Sequence, residues 1–140
     1  MTSLDEVRQA VVGAFQAIHE VHYPSTKVNY PDFDVVDLEN QEQPFVNLEL
    51  DFSAVSQAAM GENELEVPCM FLVTFYYRPG RGSAEALKYT DMLNEYLCMS
   101  QIEYIYYGPA VPIPVTTFPG WQGSMNTIKF HLTSFVPCQI

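Results

Sequence analysis

The sequence predicts an α+β fold: one domain with an antiparallel-dominated, mixed β-sheet and two main helices packed against it. Three observations carry that prediction. Residues 4–23 and 83–97 repeat apolar side chains at helical spacing. Phe45–Phe52, Leu65–Tyr77 and Asn126–Val136 instead alternate apolar and polar residues, or run apolar on both faces, as strands do. The chain has 140 residues, 48% of them hydrophobic, which is enough for one core and too apolar for intrinsic disorder. No internal repeat, low-complexity tract or domain boundary interrupts it.

The first helix opens with Ser3 and Glu6, an S-x-x-E capping box. Leu4, Val7, Val11, Phe15 and Ile18 form its apolar stripe. It should stop near Tyr23, because Pro24 disfavours helical geometry in the residue before it. Residues 24–44 hold Pro24, Pro31, Pro44 and several acids, and read as an extended connector with one short strand around Phe33–Val36. In Phe45–Phe52, Val46, Leu48, Leu50 and Phe52 face one way, and Asn47, Glu49 and Asp51 the other. Ser53–Glu64 is small and polar and reads as a mobile loop.

Leu65–Tyr77 carries the strongest strand signal. Val67, Cys69, Phe71, Val73 and Phe75 share one face, and Met70, Leu72, Thr74 and Tyr76 the other, so the strand should be central. Arg78-Pro-Gly-Arg-Gly82 breaks it, and Ser83 is expected to cap a second helix. That helix presents Ala86, Thr90, Leu93 and Leu97, widened by Tyr89 and Tyr96. Ile102–Tyr107 reads as a tyrosine-rich strand, and 108–124 as a second mobile loop. Pro109, Pro112, Pro114 and Pro119 forbid a central strand there, leaving an edge strand, an arm or a long loop. The closing strand points Ile128, Phe130 and Leu132 inward and Thr127, Lys129, His131 and Thr133 outward. The expected order is α-β-β-α-β-β.

Six Lys and Arg against 17 Asp and Glu give a net charge of −11. Such a chain will not grip a nucleic-acid backbone, which is held by Lys and Arg. It fits a channel wall past which DNA slides, or simple solubility. Cys69, Cys98 and Cys138 are far apart, odd in number and without a CxxC pair, so no zinc ribbon or thioredoxin-like site is indicated. They suit a reducing compartment. No signal peptide is visible and no apolar stretch is long enough to span a bilayer, so a cytoplasm is the expected place of synthesis.

No set of residues that performs chemistry stands out, and no catalytic residue, metal or cofactor is assigned. His19 and His22 stand three apart, but no third ligand has an obvious place. Glu62, Glu64 and Glu66 alternate as acids on a solvated face do. There is no G-x-S-x-G elbow, and Arg78–Gly82 lacks the Lys-Ser/Thr ending of a phosphate-binding loop. Arg78 and Arg81 place a third of the positive charge on one turn, which is either a solubilised loop or a contact with an acidic neighbour. Phe118 and Trp121 lie in a loop, which points to an interface or to a plug over the core.

The layout resembles the lambda-type tail terminator (tail completion) proteins of long-tailed bacteriophages. The capped helix Ser3–Tyr23 is similar to that family's first helix. Pro44-Phe45-Val46 and the strand to Phe52 look like its first core strand. Leu65–Tyr77, Pro79 and the Ser83 helix look like its central strand and second helix. Gly120-Trp121 and Thr127–Phe135 look like its C-terminal strand with an aromatic lead-in. The resemblance implies a virion protein, assembled in the host cytoplasm, that forms a hexameric ring on the head-proximal end of the tail tube. It would end tube growth and offer a surface to the head-side connector. The partners implied are other copies of the chain, the tube protein and a connector or neck protein, with DNA only passing through the lumen. Arg78, Arg81, Glu62, Glu64, Phe118 and Trp121 are the expected contact residues. Two alternatives stand beside this: a neck or head-completion protein, and a carbohydrate-binding module using the aromatic loop.

Overall fold

The structure, a computed structural model, describes residues 4–30, 41–51, 68–80, 82–98, 100–102, 105–116 and 118–132. Helix α1 (Leu4–His22) comes first, then β1 (Lys27–Asn29), β2 (Phe45–Asp51) and β3 (Pro68–Tyr77). Helix α2 (Ser83–Tyr96) follows, then β4 (Ser100–Ile102), β5 (Ile105–Val115) and β6 (Gln122–Leu132). The six strands form one sheet in the order β1-β2-β3-β6-β5-β4. Among the described residues only β1 and β2 pair in parallel, and the other four pairings are antiparallel. The fold is therefore the α+β class that the sequence predicts.

Both helices cover the same face of the sheet. From α1, Val7, Val11 and Phe15 are fully buried, and Phe15 meets Phe71 edge-on with ring centroids 6.0 Å apart. From α2, Ala86, Tyr89, Met92 and Leu93 face inward, and Tyr89 meets Phe75 at 5.1 Å. The sheet answers with Val46 and Leu48, with Cys69, Phe71, Val73 and Phe75, and with Ile128 and Phe130. Truncating a fully buried ring such as Phe15 costs about 3–5 kcal/mol. Strand β3 is central, between β2 and β6, as its apolar run requires.

Two polar groups inside this core are fully answered. Asn126 on β6 is completely buried; its Nδ2 donates to the Val73 carbonyl (3.1 Å) and its Oδ1 accepts from Thr90 Oγ1 (2.6 Å). The pair pins α2 to the middle of the sheet, because either group left alone there would cost about 1–3 kcal/mol.

Several expectations are corrected. The order is α-β-β-β-α-β-β-β, because β1 forms in the connector by parallel pairing with β2. The stretch Ile102–Tyr107 crosses a hairpin: Ile102 closes β4, Ile105 opens β5, and the two pair with each other. Much of 108–124 is strand, since β5 runs to Val115 and β6 starts at Gln122. Ser83 does not cap α2. Gly82 holds that position at φ 93°, a left-handed geometry, and no side chain among the described residues caps the helix. Tyr96 lies outside the buried stripe and is exposed, resting on His22. Ser3 of the capping box, the expected strand Phe33–Val36 and the Ser53–Glu64 loop lie outside the described residues.

Candidate functional site

The aromatic loop and the first arginine of the tight turn meet at one corner of the sheet. Turn residues Phe118–Gly120 close with a hydrogen bond from Trp121 N–H to the Phe118 carbonyl (3.1 Å), and Gly120 adopts φ 80°. This drops the indole of Trp121 onto the sheet face opposite the helices. There it meets Phe45 edge-on at 4.9 Å, and Phe45 stacks on Tyr76 at 5.1 Å. Phe118 leans on Tyr76, and Val115 completes the cluster. The Arg78 guanidinium lies 4.0 Å from the Trp121 ring centroid. It donates from Nη1 to the Gly120 carbonyl (3.1 Å) and from Nη2 to the Gln41 carbonyl (2.9 Å).

Trp121 is 3% exposed and packs with Phe45 and Tyr76 in a small cluster separate from the core under the helices. Arg78 is engaged internally, tying the end of β3 to two other segments. Phe118 is half-buried at the rim of the cluster. Arg81, Glu62 and Glu64 lie outside the described residues. Of the six expected contact residues, Arg78, Phe118 and Trp121 are brought together.

A bulge in β5 decides what the rest of this face looks like. Tyr107 pairs with Phe130 and Ala110 with Ile128, so three steps along β5 match two along β6. Gly108 sits in the bulge, where a Cβ would lie 3.0 Å from the Lys129 carbonyl oxygen. The extra residue reverses the facing of everything beyond it. Ile105, Tyr107 and Ala110 all point to the helices and are buried. Val111, Ile113 and Val115 therefore point to the other side. Val111 is 52% and Ile113 44% exposed.

Register now defines that side row by row. One row reads Asp51, Met70, Lys129; the next Glu49, Leu72, Thr127, Val111; the next Asn47, Thr74, Met125, Ile113. The last row, Phe45, Tyr76, Gly123, Val115, lies under Trp121. Met70, Leu72 and Met125 are half-buried, while Glu49, Asp51 and Lys129 are exposed. This is an apolar stripe with acids along β2 and a lysine on β6. Sequence reading placed Glu49 and Asp51 outward correctly. It missed the stripe, because the bulge that turns Val111 and Ile113 outward has no alternation signature of its own.

The edge of β5 beyond β4 is closed. Asn94 on α2 accepts from Ala110 N–H at Oδ1 (2.8 Å) and donates from Nδ2 to the Ala110 carbonyl (3.3 Å). Ala110 therefore directs both backbone groups away from β6. Pro112 and Pro114, two and four residues on, share that direction. Their missing N–H groups fall on the free edge, which leaves an incoming strand without donors at those positions.

The two histidines of α1 make hydrogen bonds within the fold. His19 Nε2–H donates to the Thr26 carbonyl (2.9 Å), so Nδ1 accepts from the Tyr89 hydroxyl (2.8 Å). Burial holds His19 below its usual value of 6.5, against the upward pull of the Thr26 carbonyl and Glu20. Burial likewise keeps the Tyr89 hydroxyl protonated, well above its usual range. His22 Nδ1–H donates to the Ile18 carbonyl (3.0 Å) and its ring sits 4.2 Å from Tyr96, beside an open groove lined by Asp91 and Glu95. Among the described residues no three His, Cys, Asp or Glu groups gather as a metal would need. Cys69 and Cys98 are buried thiols, each pushed up to about 12 by desolvation. No described helix is long and apolar enough to cross a membrane.

No protein-family profile matches the sequence, and no curated protein aligns with it. One solved structure is similar, at 13% sequence identity and TM-score 0.71, over 96% of this chain and 99% of its own length. That likeness establishes the fold, and the name that structure carries describes no function.

Proposed function

We propose that this chain is a virion structural protein that caps the head-proximal end of a phage tail tube as a ring. There it ends tube polymerisation and presents a surface for joining to the head. The observation that carries the reading is the sheet face opposite the helices, where Val111 and Ile113 stand exposed beside Leu72 and Met125. An apolar stripe on a sheet rarely serves a solitary monomer and marks a contact with another protein. The order of elements supports the family resemblance as well: an opening helix, a central strand leading into the second helix, and a last strand introduced by Trp121. A net charge of −11 suits a lumen wall that DNA passes without sticking.

A neck or head-completion role would use the same surface, and the two differ in what becomes of the tube. The carbohydrate-binding alternative loses its main support. Trp121 is buried beneath Arg78 and against Phe45, so it offers no free ring for a sugar to stack upon. The test of the ring reading is to add purified chain to isolated tail tubes and image them by negative-stain electron microscopy. Density at one tube end, followed by no further elongation when tube protein is added, is the expected result. Bare ends that keep growing would overturn it.

A further inference from the structure

We propose that the groove between the end of α1 and the outer side of α2 takes an arginine side chain of a partner protein. The groove lies on the helix side of the molecule, away from the open sheet face. The reading therefore goes beyond the tail role and does not depend on it.

Both helices build the groove. Helix α1 ends at His22, whose Nδ1–H is held by the Ile18 carbonyl one turn back (3.0 Å). That bond fixes the imidazole against Tyr96 of α2, with ring centroids 4.2 Å apart and planes tilted by 36°. The two rings line an open groove of about 400 Å³, room for one long side chain. Asp91 and Glu95 line it as well. They stand four residues apart on α2, so they lie one above the other on the same exposed side.

Charge in the groove is uneven. Lys88 is its own cation, but that ammonium pairs with Glu85 (3.6 Å), one turn nearer the start of α2. Asp91 and Glu95 form no ion pair with any described residue. Two uncompensated carboxylates thus stand beside a tyrosine and a histidine ring. That combination selects a cation, and among cations a planar one. A guanidinium lays its face on the rings while its N–H fork reaches carboxylates, whereas an ammonium is a compact point charge. The chain uses the same chemistry internally: the Arg78 guanidinium lies 4.0 Å from the Trp121 ring centroid and donates to two carbonyls. A metal ion is the poorer occupant, since no three His, Cys, Asp or Glu groups gather among the described residues.

Apolar exposure makes the arginine part of a protein. Five large apolar side chains are exposed among the described residues, and two of them, Val111 and Ile113, lie on the open sheet face. The other three belong to the groove and its surroundings. Tyr96 lines it, Val21 precedes His22 on α1, and Leu87 precedes Asp91 by one turn on α2. Val21 is 74% and Leu87 61% exposed, and a free cation would cover neither. A segment that carries arginine between apolar residues would cover both and place the guanidinium in the groove.

The test follows amide chemical shifts of the isotope-labelled full chain at physiological salt as a capped leucine-arginine-leucine tripeptide is added. Saturable shifts centred on residues 21–23 and 87–96 are the expected result. The same tripeptide with lysine in place of arginine should bind about threefold or more weakly. Asp91→Asn with Glu95→Gln should weaken binding about tenfold, and Tyr96→Ala about threefold. Glu42→Gln with Glu49→Gln removes equal charge elsewhere and should leave affinity unchanged. All five positions are exposed, and circular dichroism confirms that each variant is folded. Absence of a saturable shift overturns the site. Equal affinity for the lysine peptide, indifference to Asp91 and Glu95, or equal sensitivity to Glu42 and Glu49 would show only the general pull of an acidic chain on cations, and would overturn it too. None of these results bears on tube capping, so failure here is distinct from failure of the tail reading.

Discussion

Asn94 on α2 holds Ala110 on β5 by both of its backbone groups, at 2.8 Å to the N–H and 3.3 Å to the carbonyl. A side-chain amide thus replaces a strand at the point where β4 has ended and β5 continues alone. Replacement of Asn94 by Ala should destabilise the fold by about 1–3 kcal/mol in urea unfolding, because a half-buried backbone donor and acceptor lose their partners. Asn94→Asp should recover only part of this, since a carboxylate accepts from the N–H but repels the carbonyl.

The prolines beyond Ala110 predict a different kind of effect. Pro112→Thr with Pro114→Thr restores two N–H groups on the free edge without disturbing the pairing to β6. Folding stability should change by no more than about 0.5 kcal/mol, as at other surface sites. Self-association through strand addition should rise, seen as concentration-dependent light scattering and a gain in β-sheet infrared signal. Unchanged solubility would show that the prolines do not guard the edge.

His19 sets an acid limit. Unfolded, its imidazole titrates near 6.5; folded, burial holds it lower. The folded state therefore binds the proton less well than the unfolded state does. The stabilisation is complete above about pH 6.5 and is lost as pH falls through the folded value. Unfolding free energy should decline on that acid side, and His19→Gln should flatten this part of the profile while lowering stability overall. A wild-type profile level between neutrality and pH 5 would contradict the assignment.

The Arg78–Trp121 contact has its own reporter, because the chain contains a single tryptophan. Arg78→Ala removes a cation–π contact and two charge-assisted bonds to carbonyls, and should cost about 2–4 kcal/mol. Native-state emission should shift to the red as the indole gains solvent. Arg78→Lys keeps the charge but not the fork, so it should fall between. Charge reversal at Arg78 accordingly disturbs folding as well as any contact with a neighbour.

How far the sequence discloses this fold depends on the residues concerned. Helix α1 and strands β2 and β3 are legible because long periodic runs such as Val7-Val11-Phe15 and Cys69–Phe75 average out local noise. The prolines at 108–119 leave an edge strand, an arm or a long loop, and the part of β5 beyond Tyr107 is an edge strand, since β4 pairs only with Ile105–Tyr107. Strand β1 is hidden: three residues in a proline-flanked connector show no period, and their pairing with β2 is decided by tertiary contact. The boundary between β4 and β5 is hidden because no glycine or proline stands between Ile102 and Ile105. Ser83 is the cap that residue preference favours, but Gly82 holds the position. The backbone there needs φ 93°, and a Cβ would lie 2.7 Å from Tyr77 Cβ, so glycine outranks a side-chain cap. Least visible is the bulge at Gly108. One inserted residue moves Val111 and Ile113 to the open face, and with them the whole candidate surface.

The most direct test of the proposed role is tail length, measured by electron microscopy in a phage stock lacking this chain. The account predicts overlong tails without heads, because nothing stops the tube. Headless tails of normal length would contradict termination and assign the protein to the neck.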